Sequence, residues 1–127
     1  MHKTYTLGKA ERLKSVVRIE NLFKSGKSFV AFPFIVYYTV DSDFDKEGSQ
    51  MMVSVSKRQF KHAVDRNRLK RLTREAFRLR RQRFNDLFPA HYSVAFVYKG
   101  RQMTSFDVVS QAMDAIVQKF STILHDH

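Results

Sequence analysis

At 127 residues the chain fits one domain with a single core. It has no cysteine, which excludes a disulfide framework, a thiolate nucleophile and cysteine-bound zinc, and makes the cytoplasm the expected compartment. Its 23 Lys and Arg against 12 Asp and Glu leave a net charge of +11, which points to an anionic partner, either nucleic acid or an anionic membrane surface.

Taken in order, residues 1–14 are polar, basic and without period, and read as an arm. They lack the apolar run of a signal peptide, and no apolar stretch of the chain reaches the length of a membrane span. Ser15 is a plausible N-cap for a short helix carrying Val16, Ile19, Leu22 and Phe23 at helical spacing, with Gly26 as its stop. Residues 29–40 are dense in aromatic and β-branched side chains, and Pro33 marks an edge or a break between two strands. Strand alternation puts Phe34, Val36 and Tyr38 on one face and Ile35 and Tyr37 on the other. Residues 41–49 form a polar hairpin loop, and Met51 to Val55 the return strand.

A long basic helix is predicted from about His62 to Phe84, with Asp65 in its first turn, where the macrodipole favours a carboxylate. Phe88 and Pro89 end that region, and Tyr92 to Tyr98 is a fourth strand. Thr104 and Asp107 are spaced as a capping box before a last helix with Phe106, Val109, Met113, Ile116, Phe120 and Ile123 at helical spacing, and residues 124–127 are a frayed tail. The expected fold is a single-domain α+β sandwich over residues 1–127, in the order α-β-β-β-α-β-α, with helices packed on a four-stranded sheet.

Charge is concentrated in one place. Between Lys57 and Arg83 stand twelve Lys and Arg against only Asp65 and Glu75. At about 100° per residue, Leu69, Leu72, Thr73, Ala76 and Leu79 share one helix face, while Asn67, Lys70, Arg71, Arg74, Arg78 and Arg81 share the opposite one. A face that serves only solubility mixes signs, because like charges four residues apart repel. An unmixed stripe rich in arginine suits phosphate, whose geometry matches the planar guanidinium fork. The helix has core-type leucines and no tryptophan anchor, which argues against a membrane partner.

Other constellations carry little chemistry. Asp41, Asp43 and Asp45 begin like a calcium loop, but Lys46 holds the glycine position. His125, Asp126 and His127 stand in the tail, and His62 and His91 have no partner at ligand or catalytic spacing. No catalytic residue and no metal ligand is assigned to the chain. Phe23, Phe34 and Tyr38 fit either a core or a surface on which bases of single-stranded nucleic acid stack, two roles that differ in exposure alone.

The residues Ser54-Val-Ser-Lys57, Ala63-Val64, Arg66-Asn-Arg-Leu-Lys-Arg-Leu72 and Arg74-Glu-Ala-Phe-Arg78 together resemble the protein subunit of bacterial ribonuclease P, whose hallmark is an R-N-R-x-K-R-x-x-R run on a long helix. The resemblance spans nearly the whole chain, including Arg12 to Lys14 and Phe23-Lys-Ser-Gly26. It implies a left-handed βαβ crossover, a hand that general connection rules would reject. It also implies a division of labour: a catalytic RNA with bound Mg2+ removes the 5′ leader of precursor tRNA, and the protein binds both RNAs without needing a protein partner. Carried across, Arg66, Asn67, Arg68, Lys70, Arg71, Arg74 and Arg78 would bind the RNA subunit. Phe23, Val36, Tyr38, Ser54 and Lys57 would line the leader cleft. Ile19 stands where the family often has a second aromatic, and Gln59 to His62 replace a shorter, glycine-containing link. The alternative class is a general RNA-binding or ribosome-associated module, which shares the basic stripe but needs no catalytic RNA. A self-sufficient nuclease is disfavoured by the missing acid–base pair.

Overall fold

Strands that alternate large apolar side chains must cover at least one face, and the middle of this chain does so with a sheet. In the computed structural model, which describes residues 12–13, 16–40, 50–88 and 92–125, β1 (Lys27–Ala31), β2 (Phe34–Val40), β3 (Gln50–Val55) and β4 (Tyr92–Tyr98) form a four-stranded sheet in the order β1-β2-β4-β3. β1 and β2 are antiparallel across a two-residue turn at Phe32 and Pro33, so the proline does separate two strands. β2 and β4 are antiparallel, whereas β3 and β4 run parallel. The helices are α1 (Val16–Ser25), α2 (Ala63–Leu79), α3 (Arg81–Leu87) and α4 (Phe106–His125). The fold class is α+β, as expected, with one more helix than the sequence period suggests.

The extra helix comes from a break at Arg80. There the backbone leaves helical geometry (φ −117°, ψ 13°), and the side chain crosses to α4: Nε donates to Asp114 Oδ1 at 2.7 Å and Nη2 to Ser110 Oγ at 2.6 Å, while Nη1 returns to Ala76 O at 3.0 Å. With no Gly or Pro at this point, periodicity alone reads straight through it.

One face of the sheet carries the main core. Phe34, Val36 and Tyr38 of β2, Met51, Val53 and Val55 of β3, and Val94, Phe96 and Tyr98 of β4 meet α2, α3 and α4 there. Phe120 of α4 sits at the centre, with its ring 4.9 Å from Tyr38, 5.1 Å from Phe29, 5.0 Å from Phe88 and 5.9 Å from Phe84, mostly edge to face. α4 buries Val109, Met113, Ile116 and Phe120 as its spacing requires. Its first turn is capped by Ser105, whose Oγ accepts from Val108 N at 3.4 Å, and not by Thr104. Leu124 packs against the core within α4, so the segment read as a tail begins inside a helix.

Among the described residues, the opposite face is covered by α1 and by Leu13 ahead of it, through a small cluster of Leu13, Leu22 and Ala95. Gly26 lets this helix end close to the sheet: a Cβ there would lie 2.3 Å from Leu22 O and 3.0 Å from Tyr38 O. Ser15, the 41–49 loop with its three aspartates, Pro89, His91, Asp126 and His127 lie outside the described residues.

The bond from Arg80, helped by the charges of Arg80 and Arg83, holds the Asp114 carboxyl below the usual carboxylate range. A carboxylate whose pKa falls on folding adds stability above its unfolded value and loses it as pH drops through the folded one. Asp114→Asn should therefore lower Tm at pH 7, and its gap to the wild type should shrink below about pH 4. Thermal unfolding at several pH values checks this; a gap that does not vary with pH would remove charge from the clamp.

Candidate nucleic-acid interface

The cationic surface is built on α2. Its buried side is Leu69, Thr73, Ala76 and Phe77, with the Thr73 hydroxyl satisfied by Leu69 O at 2.8 Å. Leu72 is half-buried, but Leu79, expected on the same face, is 56% exposed. The apolar stripe is thus turned toward Phe77, which simple counting left out because the helix also packs sideways on α4. Asn67, Arg68 and Arg71 are exposed, while Arg66, Lys70 and Arg74 are half-buried.

These residues are not equivalent. Arg66 Nη1 donates to Phe60 O at 2.7 Å and Lys61 O at 3.0 Å, so it holds the loop after β3 against the first turn of α2. That loop is also anchored by buried Phe60, 5.8 Å from the Tyr98 ring, and presents exposed Lys57, Arg58 and Lys61. The helix starts at Ala63, with no side-chain cap from His62. Arg78 is tied to Glu75 through Nε (3.1 Å) and Nη2 (2.5 Å), a bond that draws the Glu75 carboxyl down in pKa. Among the described residues, no carboxylate pairs with Arg68, Lys70, Arg71 or Arg74. Exposed and half-buried cations therefore form a track from Lys57 to Arg74 whose mutual repulsion no ion pair among the described residues relieves.

The second surface is the sheet face under α1. Residues directly opposite on paired strands share a face, which gives the rows Ser28–Tyr37–Ala95–Met52 and Val30–Ile35–Val97–Ser54. The first row is partly roofed by Ile19 and Leu22 of α1. In the second, Ile35, Val97 and Ser54 are half-buried and Val30 is 70% exposed. Phe23 of α1 stays 38% exposed, with its ring 4.7 Å from Tyr37. Arg18 closes the far end by donating to Gln50 Oε1 and, at 2.9 Å, to Ser93 Oγ.

Phe23 and Ser54 thus belong to this half-open face, and exposed Lys57 follows β3 by two residues. Val36 and Tyr38 do not: they are 0% and 6% exposed on the reverse side of β2, under Phe120. The alternation holds, and the face that carries Val36 and Tyr38 is the buried one. Both sets of β2 residues are apolar, so hydrophobicity could not choose between them; Thr39, in line with Ile35 and Tyr37, was the one polar hint. Ile35 and Tyr37 are the strand residues available to a ligand beside Phe23. Arg12, in the segment read as an arm, is placed beside the sheet. It pairs with Met51 outside β3, and Leu13, at the end of the segment read as an arm, is buried.

The sequence profile of the family described as Ribonuclease P matches residues 7–121. A ribonuclease P protein component from Porphyromonas gingivalis is 39% identical over 113 residues, covering 87% of this chain and 82% of the relative. Another, from Chlorobium phaeobacteroides, is 32% identical over 125 residues, covering 88% and 86%. Among solved structures, the RNase P protein from Staphylococcus aureus aligns with a TM-score of 0.71 at 21% identity, over 92% of this chain and all of the other. That from Thermotoga maritima aligns with a TM-score of 0.66 at 22% identity, over 86% and 96%. At such identities the two structures speak for the fold.

Arg68→Ala and Arg71→Ala should each flatten the dependence of log RNA affinity on log salt by roughly 0.7–0.9. Arg78→Ala should change it less, because Glu75 already occupies that guanidinium. A salt titration of binding to a folded RNA reads this directly, and a slope most sensitive to Arg78 would reverse the ranking.

Proposed function

Given that the chain belongs to the ribonuclease P protein family, we propose that it binds the catalytic RNA of ribonuclease P along the exposed side of α2 and receives the 5′ leader of precursor tRNA on the half-open sheet face. The observation that carries this reading is that an arginine track with no carboxylate partner among the described residues meets an aromatic, half-covered strand surface, Arg74 of the one and Met52 of the other lining one cavity. The track suits a folded RNA, where phosphates crowd and shape is read through the backbone. The sheet face suits a single strand, whose unpaired bases stack on rings at roughly 1–3 kcal/mol each.

In this reading Arg68, Lys70, Arg71 and Arg74 hold the RNA subunit, and Arg66 and Asn67 stand where the two surfaces meet. Arg78 contributes least, since its charge is shared with Glu75. Phe23, Ile35 and Tyr37 carry the leader bases, with Ser54 and Lys57 toward the leader backbone. Phosphodiester hydrolysis belongs to the RNA and its Mg2+. Glu75 on α2 is engaged by Arg78. No helix among the described residues is long and apolar enough to cross a membrane, and the proposed setting is the cytoplasm.

Reconstitution tests the assignment. Adding the purified chain to a bacterial ribonuclease P RNA at low Mg2+ should restore leader removal; binding without stimulation would favour a general RNA-binding module, and cleavage without RNA a self-sufficient nuclease. Tyr37→Ala should weaken binding of precursor tRNA more than of mature tRNA, because only the former brings bases to the sheet. Tyr38→Ala should instead lower the unfolding free energy by about 3–5 kcal/mol, as removal of a buried aromatic ring does. Leader-selective loss on Tyr38→Ala, with no such loss on Tyr37→Ala, would put the leader on the other face.

A further inference from the structure

Two arginines far apart in sequence meet at the outer edge of β3. Arg12 is placed by backbone: it pairs in parallel with Met51, and Leu13 N donates to Met51 O at 2.8 Å while the Leu13 side chain is buried against Leu22 and Ala95. Arg74 is placed by α2. Between them lies a cavity of about 220 Å³ lined by Arg12, Leu13, Met51, Met52, Val53 and Arg74. No carboxylate is among these residues. Arg12 Nε is buried and has no hydrogen-bond partner among the described residues.

A buried guanidinium N–H without an acceptor is costly, and a second guanidinium beside it adds repulsion where water screens poorly. The consequence is visible at Arg74, whose pKa is pushed down by burial and by the charge of Arg12. An oxyanion would remove both penalties at once. It would accept from Arg12 Nε–H and bridge two planar forks in the manner to which arginine is suited. Arg71 and Arg68 continue the cationic surface away from Arg74 along α2, which favours an anion that is one member of a chain of anions over an isolated carboxylate.

We propose that Arg12 and Arg74 form a clamp for one phosphate group, so that the segment before α1, and not α2 alone, takes part in anchoring the RNA subunit. The clamp itself follows from the local geometry; only the assignment of its phosphate to the RNA backbone rests on the function proposed above.

The test uses the full chain as wild type, Arg12→Gln, Arg74→Gln and the double variant, with inorganic phosphate as the first probe. At constant ionic strength, phosphate should raise the Tm of the wild type. Each single variant should lose most of the Arg12-dependent part of that rise, and the double variant no more than either single, because both side chains serve one ion. A full wild-type response in either single variant, or losses that simply add, would overturn the clamp. Should Arg12→Gln fail to fold, Arg12→Lys keeps the charge but lacks the Nε–H and should still lower the phosphate response. In the second arm, the salt slope of binding to ribonuclease P RNA should fall by roughly 0.7–0.9 in Arg12→Gln. An unchanged slope with a lost phosphate response would remove the RNA backbone as the source of the phosphate. Failure of the wild type to bind that RNA would sink the functional reading while the phosphate arm still judged the clamp.

Discussion

Burial of the inner side of α2 holds a crowd of like charges in place. Leu69, Ala76 and Phe77 are removed from water against the sheet and α4, and this apolar attachment offsets the repulsion among the exposed arginines. The cations that do meet carboxylates in this region, Arg78 with Glu75 and Arg80 and Arg83 with Asp114, stand toward the end of α2 and beyond it. Among the described residues, no carboxylate pairs with Arg66, Arg68, Lys70 or Arg71 in the first three turns. Charge is thus cancelled where the helix must be clamped and left uncancelled where it faces outward.

The sheet is divided in the same way. Its core side is sealed by three helices and a network of edge-to-face rings around Phe120, which gives the strands a rigid backing. Among the described residues, the other side has one short helix, seated through Leu22 and brought close by Gly26. Tyr37, Ile35 and Phe23 are therefore fixed by what lies behind and beside them while part of each remains in contact with solvent. Stacking of flat bases on a protein surface needs rigidity together with exposure, and this face offers both.

Much of this was legible in the letters. The four strands, the break at Pro33, the basic helix and the core positions of α4 follow from alternation, turn residues and helical spacing. What escaped was whatever depends on a neighbour. The choice between the Val36 and Ile35 faces of β2 depends on which helices cover which side, and α1 and α4 are both amphipathic. Leu79 was expected inside and Phe77 was not, because the core that α2 shares with α4 takes Phe77 and leaves Leu79 exposed. Arg80 was only one of the twelve cations between Lys57 and Arg83, yet its guanidinium is spent on Asp114, Ser110 and Ala76, and the helix ends there. Arg12, in a stretch with no period at all, is placed only by its pairing with Met51.

The parallel pairing of β3 with β4 has one more consequence. Because β4 lies between β2 and β3, the hairpin of β1 and β2 has no link to β3 until β4 arrives, and the chain that delivers β4 is α2 and α3. Completing the sheet and displaying the arginines are accordingly a single event. A polyanion that recognised only the finished display would bind the native ensemble and draw unfolded chains into it by mass action, so an RNA bound there would also serve as a thermodynamic chaperone for the protein that holds it.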